Sequence, residues 1–451
     1  TTPVNFFWFR RDLRFNDNVG LYNALKKDRP VIPLFIFDSD ILNDLEEKND
    51  ARVTFLHDTI TEMDKKLREW GSGMLVKYGK PETIWNQLIK EYDIDTVFFN
   101  RDYEPYAKKR DEAIIDIYSD RGIKCETFKD HVIFEKEEVQ KNAGGVYTVF
   151  TPYKKKWYQE HKTRLNDGES TLSNSPYLAP YESEKHMDNF YSVGRAEIPS
   201  LEQMRFERSS ISIPDKTVKQ KVIKQYNKKR NFPAAEGTSR LGIHFRFGTI
   251  SIREKARKAI KLNKTYLNEL IWRDFYSQIL DAFPHVVDAP FREKYALINW
   301  RNDEHEFERW CNGETGYPIV DAGMRQLNQT GYMHNRVRMI TASFLTKHLL
   351  IDWRWGEAYF AKKLLDFELS SNNGGWQWAA GTGTDAAPYF RIFNPYTQVE
   401  KFDKDEAYLD EWVPERNTDE YPEPIVDHKQ ARKRCLATYK SALEEYDKTT
   451  K

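Results

Sequence analysis

The first 130 residues alternate between short apolar runs and longer stretches in which apolar and polar positions repeat with a helical period. In chain order the apolar runs are VNFFWF, PVIPLFIF, GMLVKYG, DTVFFN and KCETF, and ARVTFLHDTITEMDKKLREW is one of the helical stretches between them. Strands that alternate with helices predict a doubly wound parallel sheet, so we expect an α/β domain. The turn after the first run, RRDLRFNDN, lacks the glycine fingerprint of a dinucleotide site, so no dinucleotide is expected there.

The hydrophobic pattern changes twice further along the chain. It fades between residues 131 and 200, where NDGESTLSNSPYLAPYES is rich in turn-forming residues, which predicts a long linker. From residue 201 to residue 451 the pattern is mostly helical, with proline and glycine between the helices. The sequence therefore predicts an α/β domain over 1–130, a linker over 131–200 and an all-α domain over 201–451.

Composition narrows the class of protein. Aromatic residues make up 14% of the chain, which suggests stacking in addition to core filling. Three distant cysteines and the lack of a long apolar run predict a cytoplasmic protein without a leader, disulfides or contact with a membrane. The net charge is zero, so a nucleic acid would have to bind to a local basic patch. The run PYKKKWYQEHKTR, with Lys154, Lys155, Lys156, Lys162 and Arg164, is a candidate, although a solvated helix face explains that run better when it is taken alone.

Two helical stretches place chemically active side chains on one face. In YLNELIWRDFYSQIL, Glu269, Trp272, Arg273 and Tyr276 follow the spacing i, i+3, i+4 and i+7. After GYPIVDAGMRQLNQTG, a second helix is expected to start near Met333 and to place Asn335, Arg338 and Met339 on one face. Each set fits a polar, aromatic pocket, but each has a second explanation. The first set also fits a solvated face with one anchoring tryptophan, and the second also fits a helix cap, a surface charge and a methionine in the core.

Two tryptophans stand two residues apart in GGWQWAA. If this stretch is helical, the side chains of Trp376 and Trp378 point roughly 200° apart, so that one faces the interior and the other a cleft. Trp300 and Trp353 are also expected in helical stretches, and scattered indoles of this kind are more often part of the core than of an electron-transfer chain. Near FPAAEGTSRLG, the hydroxyls of Thr238 and Ser239 precede a helical run and fit either an anion site or a helix cap.

Taken together, these stretches resemble the photolyase–cryptochrome family over nearly the whole chain. The matching motifs are FWFRRDLR, EGTSRL, ELIWRDFY, GYPIVDAGMRQL, MHNRVRMITASF and NNGGWQWAAGTGTDAAPYFRIFNP. The chain is most similar to class I cyclobutane pyrimidine dimer photolyases. The resemblance implies a lyase that binds FAD in the helical domain and repairs UV-damaged DNA under blue light, by transferring an electron from reduced flavin to a flipped-out dimer.

The resemblance also implies which residues bind FAD. Those matched to the phosphates are Tyr226, Thr238, Ser239, Arg240, Leu241 and Gly242, where Gly242 replaces a serine that is common in the family. Those matched to the rest of the cofactor are Asn335, Arg338, Asp366, Glu368 and Asn372, where Glu368 stands at a position that is commonly aspartate and Asn372 lies beside flavin N5. Gly374 and Gly375 are expected to allow a close approach of the backbone near the flavin.

The remaining matched positions concern electron transfer and the DNA. Trp376, Trp353 and Trp300 correspond to the chain that carries electrons from the surface to FAD. Glu269 corresponds to the catalytic carboxyl, which would donate a hydrogen bond to the dimer if its pKa were raised. The residues matched to the lesion or to DNA are Trp272, Arg273, Tyr276, Asn335, Arg336, Met339, Trp378, Arg391 and Gln398. We expect Trp272 and Trp378 to form the two walls of the pocket.

Alternatives within the same family stay open. A cryptochrome-type light sensor and a (6-4) photoproduct photolyase share many of these motifs, although the intact set of repair residues favours dimer repair. A second, antenna chromophore is also implied, and the residues matched to it are Asp38, Arg52, Asp102, Glu104 and Arg246. Tyr106 and Ala107 replace the pair that binds folate in relatives, so a deazaflavin is favoured, while another flavin or an empty pocket stays open. We expect a monomer.

Overall fold

A five-stranded parallel sheet forms the N-terminal part of the molecule. The computed structural model describes residues 2–163, 172–194 and 197–450. The strands are β1 (Val4–Phe9), β2 (Val31–Asp38), β3 (Leu75–Gly79), β4 (Ile94–Asn100) and β5 (Lys124–Phe128). Their order is β3-β2-β1-β4-β5, and every pairing is parallel. The order reverses at β1, which confirms the predicted doubly wound sheet and all five predicted strands.

Helices connect the strands and bury both faces of the sheet. They are α1 (Val19–Leu25), α2 (Ser39–Asn43), α3 (Ala51–Glu69), α4 (Pro81–Glu91) and α5 (Pro105–Ser119). Every residue of β1 and β2 is buried, because the side chains on one face join a cluster around Phe7 and Phe35 and those on the other join a cluster around Trp8 and Trp85. Burial on both faces explains why these strands have continuous apolar runs rather than alternating ones.

The remaining chain is almost entirely helical. Its helices are α6 (Phe150–Thr163), α7 (Gln220–Lys224), α8 (Tyr226–Lys229), α9 (Gly242–Phe247), α10 (Ile252–Leu262), α11 (Lys264–Ala282), α12 (Glu304–Asn312), α13 (Pro318–Thr330), α14 (Asn335–Ser343), α15 (Trp353–Lys363), α16 (Leu369–Ala380), α17 (Pro395–Phe402), α18 (Ala407–Trp412) and α19 (His428–Thr449). A π-helical turn, Phe344–His348, follows α14. Among the described residues, no helix combines the length and the hydropathy that a membrane crossing requires.

The chain divides into two compact units that alternate along the sequence. The sheet unit consists of Thr1–Val139, Lys156–Thr217 and Arg240–Lys261. The helical unit consists of Gln140–Lys155, Val218–Ser239 and Leu262–Lys451. The simpler sequential division at residues 130 and 200 stays a prediction. Helix α6 lies inside the predicted linker and contains most of the lysine run that the sequence analysis interpreted as a helix face.

Buried charge fixes the segment 240–261 within the sheet unit. The Arg253 guanidinium donates to Asp17 at 3.0 Å and to Asp130 at 2.9 Å, and Arg14 donates to Asp130 at 2.8 Å. All four side chains are buried, so each charge depends on its partners for compensation. The helical unit has a separate core, built around the buried Trp310, Trp353 and Trp376.

Candidate active site

Helix α11 carries the first group of candidate residues on one side. The helix starts at Lys264 because the side chain of Asn263 accepts hydrogen bonds from the backbone N–H groups of residues 265 and 266. Glu269 lies about a turn and a half further along, and its carboxylate accepts a hydrogen bond from the guanidinium of Arg230. In this arrangement the carboxylate is an acceptor, so donation from Glu269 to a substrate requires the neutral acid and stays a prediction.

Trp272 lies one turn beyond Glu269 and is partly exposed. Its ring stacks on Phe150, with centroids 3.7 Å apart and planes 7° apart. The Phe150 backbone N–H donates to the Asp385 carboxylate at 3.2 Å, which fixes the stacking partner. Phe150 could not be identified from the sequence, because its contact with Trp272 links positions that are far apart in the chain.

Tyr276 connects α11 to α16. A methyl group on Gly374 would lie 2.2 Å from the Tyr276 ring, so a glycine is required for this contact. Gly374 therefore lies close to a tyrosine, whereas the close approach to the flavin that the resemblance implies stays a prediction. By contrast, a side chain on Gly375 would meet no atom within 4 Å, which leaves open space on that face of α16.

The two neighbouring tryptophans of α16 differ in their surroundings, as the helical period predicted. Trp376 is buried and contacts Phe360 and Trp310, with ring centroids 4.9 and 5.9 Å apart. Trp378 is only partly buried and packs at the margin of the same core. Among the described residues no hydrogen-bond acceptor lies near the Trp376 indole N–H, although this group is buried.

Asn372, also on α16, has a fixed amide orientation. Its side-chain NH₂ donates to the backbone carbonyl of Glu357 at 3.1 Å. The carboxyl of Glu357 is buried and accepts from Asn373 at 3.4 Å. Burial raises the pKa of Glu357 to about 8, so this acid is largely neutral at pH 7.

Helix α14 presents the second predicted group. The helix starts at Asn335, with His334 as its cap. Asn335 is exposed, and its side chain lies 3.9 Å from the Met339 sulfur, so the two share a face as expected. Arg338 forms a two-pronged pair with Asp366, at 2.8 and 3.1 Å, and also donates to the Met333 carbonyl at 2.6 Å.

The other candidate cofactor residues are also paired within the protein. Buried Arg273 lies 3.2 Å from Glu368, so the residue assigned to DNA contacts a residue assigned to FAD. The Thr238 hydroxyl lies 3.1 Å from the Tyr332 hydroxyl, and the Ser239 hydroxyl accepts from Tyr266 at 3.1 Å.

The neighbouring positions complete this set. The ring of Tyr226 meets that of Tyr266 edge-on, with centroids 5.1 Å apart. Arg240, which has a left-handed backbone, and buried Leu241 belong to the sheet unit, where α9 begins at Gly242. The roles of all these residues toward FAD stay predictions.

The three tryptophans predicted to carry electrons lie in connected parts of the helical unit. The Trp376 ring packs against Gly356 so closely that a methyl group there would lie 2.0 Å from it. Gly356 is one turn after Trp353, the first residue of α15. Trp300 was expected in a helix, but it lies in an irregular segment. The backbone N–H of the next residue, Arg301, donates to the Leu350 carbonyl at 2.8 Å. That bond places the Trp300 segment beside the chain that leads into α15.

The residues assigned to DNA differ in exposure. Arg336 donates to Asn231 at 2.9 Å, and its guanidinium lies 4.3 Å from the Phe402 ring centre. Arg391 is exposed, while its carbonyl accepts a hydrogen bond at 2.9 Å from Lys347, a residue that the sequence analysis missed. Burial lowers the pKa of Lys347 to about 8. The Gln398 side-chain oxygen is buried, and no described residue donates to it.

The lysine run lies mostly on α6. Lys155 is exposed, whereas Lys156 pairs with Glu160 at 2.9 Å and Lys154 lies 5.5 Å from the Phe150 ring centre. Arg164 lies outside the described residues. One exposed lysine and two engaged ones, among the lysines whose side chains the structure describes, fit the solvated-face interpretation better than a dedicated DNA site.

The candidate antenna residues, all in the sheet unit, form two groups. Glu104 accepts from Arg246 at 2.6 Å, and Arg11 bridges Glu104 and Asp102 at 3.5 and 3.2 Å. Burial alone would raise the pKa of Asp102, but Arg11 and Arg246 hold it well below its usual range.

The second group consists of Asp38 and Arg52, which pair with different residues. Asp38 accepts from the Tyr106 hydroxyl at 2.8 Å, and Arg52 pairs with Asp50 at 2.6 Å. Burial raises the pKa of Asp38. The binding of a chromophore by either group stays a prediction.

The residues around α16 fit a flavin dinucleotide. Open space beside Gly375 provides room for a flat ligand next to Asn372, whose amide is already oriented. The ion pairs Arg338–Asp366 and Arg273–Glu368 hold their charged groups in place. Such groups suit hydrogen bonds to ribityl hydroxyls and to a flavin ring. The hydroxyls of Thr238 and Ser239 suit a phosphate.

Comparisons with known proteins agree with this geometry. Residues 5–171 match a family model described as DNA photolyase, and residues 266–418 match one described as the FAD binding domain of DNA photolyase. A deoxyribodipyrimidine photo-lyase of Halobacterium salinarum is 36% identical, over 97% of this chain and 99% of its own length.

Solved structures give the same result. A class III photolyase from Agrobacterium tumefaciens has a TM-score of 0.85 and 32% identity, with 98% of each chain covered. A photolyase from Sulfolobus tokodaii, whose structure contains two FAD molecules, has a TM-score of 0.80 and 34% identity, with 97% of this chain and 99% of that one covered. A cryptochrome of Synechocystis, at 23% identity and a TM-score of 0.83, over 97% of this chain and 99% of its own, shows the shared fold alone.

Proposed function

Because the chain belongs to the DNA photolyase family, we propose that it uses light and FAD to split cyclobutane pyrimidine dimers in UV-damaged DNA. The observation that carries the proposal is the direct packing of α11 on α16, where Tyr276 lies against Gly374. This packing joins the helix that carries Glu269 and Trp272 to the helix that carries Trp378. One pocket can therefore be lined by a carboxylate and two partly exposed indoles.

The indoles are suited to a flipped-out dimer. A cyclobutane dimer pairs and stacks poorly, and photolyases are a standard example of enzymes that extrude their target base at low cost. Flat aromatic walls at Trp272 and Trp378 would stack on it, with ~1–3 kcal/mol per base. The exposed amide of Asn335 would bind base edges, and the flexible Met339 would fill the remaining gap.

The charged residues would orient the cofactor and stabilise negative charge on the dimer. Reduced FAD, when bound, supplies the absorption of light and the electron that opens the cyclobutane ring before it is returned. Arg338–Asp366 and Arg273–Glu368 would hold the cofactor in place, and Asn372 would face its ring. Negative charge that develops on the dimer carbonyls would be stabilised by N–H groups of Arg230, and by Glu269 when this residue is neutral.

The tryptophan chain has a separate role in this proposal. Trp300, Trp353 and Trp376 would carry electrons from the surface toward the cofactor and would not contact the DNA.

A comparison of substrates separates this function from its alternatives. FAD-loaded protein would be incubated, in light and in the dark, with duplexes that contain one cyclobutane thymine dimer, one (6-4) photoproduct or no lesion. We expect repair of the first duplex only, and only in light. Repair of the second alone would assign the chain to (6-4) repair, and repair of neither would favour a light sensor.

The finer properties follow from the same proposal. We propose that Asp102, Glu104 and Arg246 bind a deazaflavin-type antenna and that the protein acts as a cytoplasmic monomer. Extraction of a second chromophore from purified protein, light scattering and cell fractionation test these three statements. Recovery of FAD alone would contradict the proposal that the protein binds an antenna chromophore.

A further inference from the structure

A lysine-rich segment leads directly into the proposed lesion pocket. Residues 218–235 contain six basic residues and no acidic one, in a chain whose net charge is zero. Its five lysines are all exposed, namely Lys219, Lys221, Lys224, Lys228 and Lys229. We define these five residues as the basic arm. Within the described part of the chain, one of these lysines forms an ion pair, Lys219 with Glu236 at 3.6 Å, and both of these side chains are largely exposed.

The basic arm is rigidly attached to α11. The buried Val222 and Ile223 anchor it from within. The side chain of Asn263 donates to the Lys224 carbonyl at 3.1 Å and to the Asn227 side chain at 3.0 Å. The backbone that carries the lysines is therefore held against α11.

The arm ends at the pocket itself. The Tyr226 ring meets Tyr266, and the next basic residue, Arg230, pairs with Glu269. The contacts thus advance along one side of α11 from Asn263 to Glu269, which is about 9 Å at 1.5 Å per residue. Trp272 follows one turn later.

We propose that the basic arm binds the phosphates of the duplex that flanks the lesion. This inference rests on the proposed function and names the surface that holds the DNA outside the pocket. A span of about 9 Å corresponds to roughly two to three nucleotides of one strand at 3.4 Å each. A series of exposed ammonium groups along this span suits a polyanion. The C-terminal half of α19 differs, because acidic residues lie beside its lysines, as in the pair Lys440–Glu444 at 3.7 Å.

A pair of charge-matched variants tests the proposal. The arm variant carries Lys221→Gln, Lys224→Gln, Lys228→Gln and Lys229→Gln. The control variant removes the same charge from exposed positions of α19, with Lys429→Gln, Lys433→Gln, Lys440→Gln and Lys448→Gln. Dissociation constants of FAD-loaded protein are measured in the dark over a series of salt concentrations, for undamaged and dimer-containing duplexes.

The arm variant should bind both duplexes more weakly and depend less steeply on salt. The log–log slope should fall by about 0.9 for each lost phosphate contact, or roughly eightfold in affinity per contact at 0.1 M salt. The control variant should keep the slope of the unmodified protein. An arm variant with an unchanged slope, or a control that loses as much, overturns the proposal.

Two further outcomes are informative. An unchanged DNA slope together with lost binding of poly-glutamate would assign the arm to an acidic protein and overturn the proposal. If the unmodified protein repaired no dimer, the proposed function would be contradicted. The salt dependence of binding to undamaged duplex would still test whether the basic arm binds phosphates. Should the fourfold variant lose FAD, Lys228→Gln with Lys229→Gln should show about half of the change in slope.

Discussion

Replacement of Trp378 by alanine should weaken the binding of damaged DNA while leaving the binding of undamaged DNA as before. Trp378 is partly exposed beside the proposed pocket, so alanine removes a stacking wall and little of the core. A lost base–aromatic stack of ~1–3 kcal/mol corresponds to about 5- to 160-fold in the dissociation constant. Undamaged DNA is held mainly through its phosphates and does not enter the pocket.

Trp376→Phe is the matched perturbation two residues away. Trp376 is buried against Phe360 and Gly356, so phenylalanine leaves a small cavity that costs roughly 1 kcal/mol of stability. Lesion affinity should stay the same, because the ring faces the core. Photoreduction of oxidised FAD should be lost or strongly slowed, because phenylalanine is much harder to oxidise than tryptophan.

The assay measures binding to matched duplexes, with and without one thymine dimer, in the dark and at one salt concentration. Photoreduction kinetics are recorded on the same preparations, and Trp378→Phe serves as a control that should retain most of the affinity. Equal losses of lesion affinity in Trp378→Ala and Trp376→Phe would refute the division of roles between the two indoles. An equal loss on both duplexes in Trp378→Ala would refute stacking on the lesion.

Four further changes test other parts of the site. Glu269→Ala should lower the quantum yield of repair more than it lowers lesion affinity, because the aromatic walls remain; an unchanged yield argues against its catalytic role. Trp300→Phe should block photoreduction but leave repair intact once FAD is reduced chemically, and lost repair would show that it belongs to the pocket. Phe150→Leu should reduce lesion affinity, because Trp272 loses the ring stacked on it at 3.7 Å, whereas unchanged affinity would make that contact purely structural. Glu357→Gln should stabilise the fold increasingly between about pH 5 and pH 8, by about 1.4 kcal/mol per pH unit. Burial raises the pKa of Glu357 to about 8. The buried carboxyl therefore does not destabilise the fold below its ordinary pKa, and its destabilising effect grows with pH until the folded-state pKa is passed. Denaturant unfolding curves of the two proteins that stay equally separated at every pH would contradict this.

The sheet and the helix faces were predictable because they depend on local periodicity. Strands buried on both faces are continuous apolar runs, and all five predicted strands are present. The spacing of Asn335 and Met339 placed them on one face, and the two-residue spacing of Trp376 and Trp378 separated a buried indole from a partly exposed one. Helical geometry alone dictates both results.

The contacts that complete the site depend on tertiary packing and were not predictable. Phe150 stacks on Trp272 across more than a hundred residues, and Arg230 pairs with Glu269 across 39. No local pattern relates such positions. For the helix that starts at Phe150, the sequence indicated only a helix face at the lysine run, because its neighbours in the predicted linker are turn-rich.

The prediction that Trp300 lies in a helix was wrong for a related reason. Its neighbours resemble a helix in composition, but Arg301 bonds to the carbonyl of Leu350 instead of to the preceding turn. A long-range hydrogen bond therefore outweighs a weak local preference.

Light-dependent turnover of one defined thymine dimer tests the proposed activity most directly. Purified protein with reduced FAD is mixed anaerobically with an excess of an oligonucleotide that contains a single cyclobutane dimer, and the products are separated after illumination or darkness. The return of the electron predicts many dimers restored to two thymines per protein molecule in light, with no added reductant and none restored in the dark. Repair that stops after one dimer per protein, or that proceeds equally in the dark, would contradict light-driven splitting without net redox change.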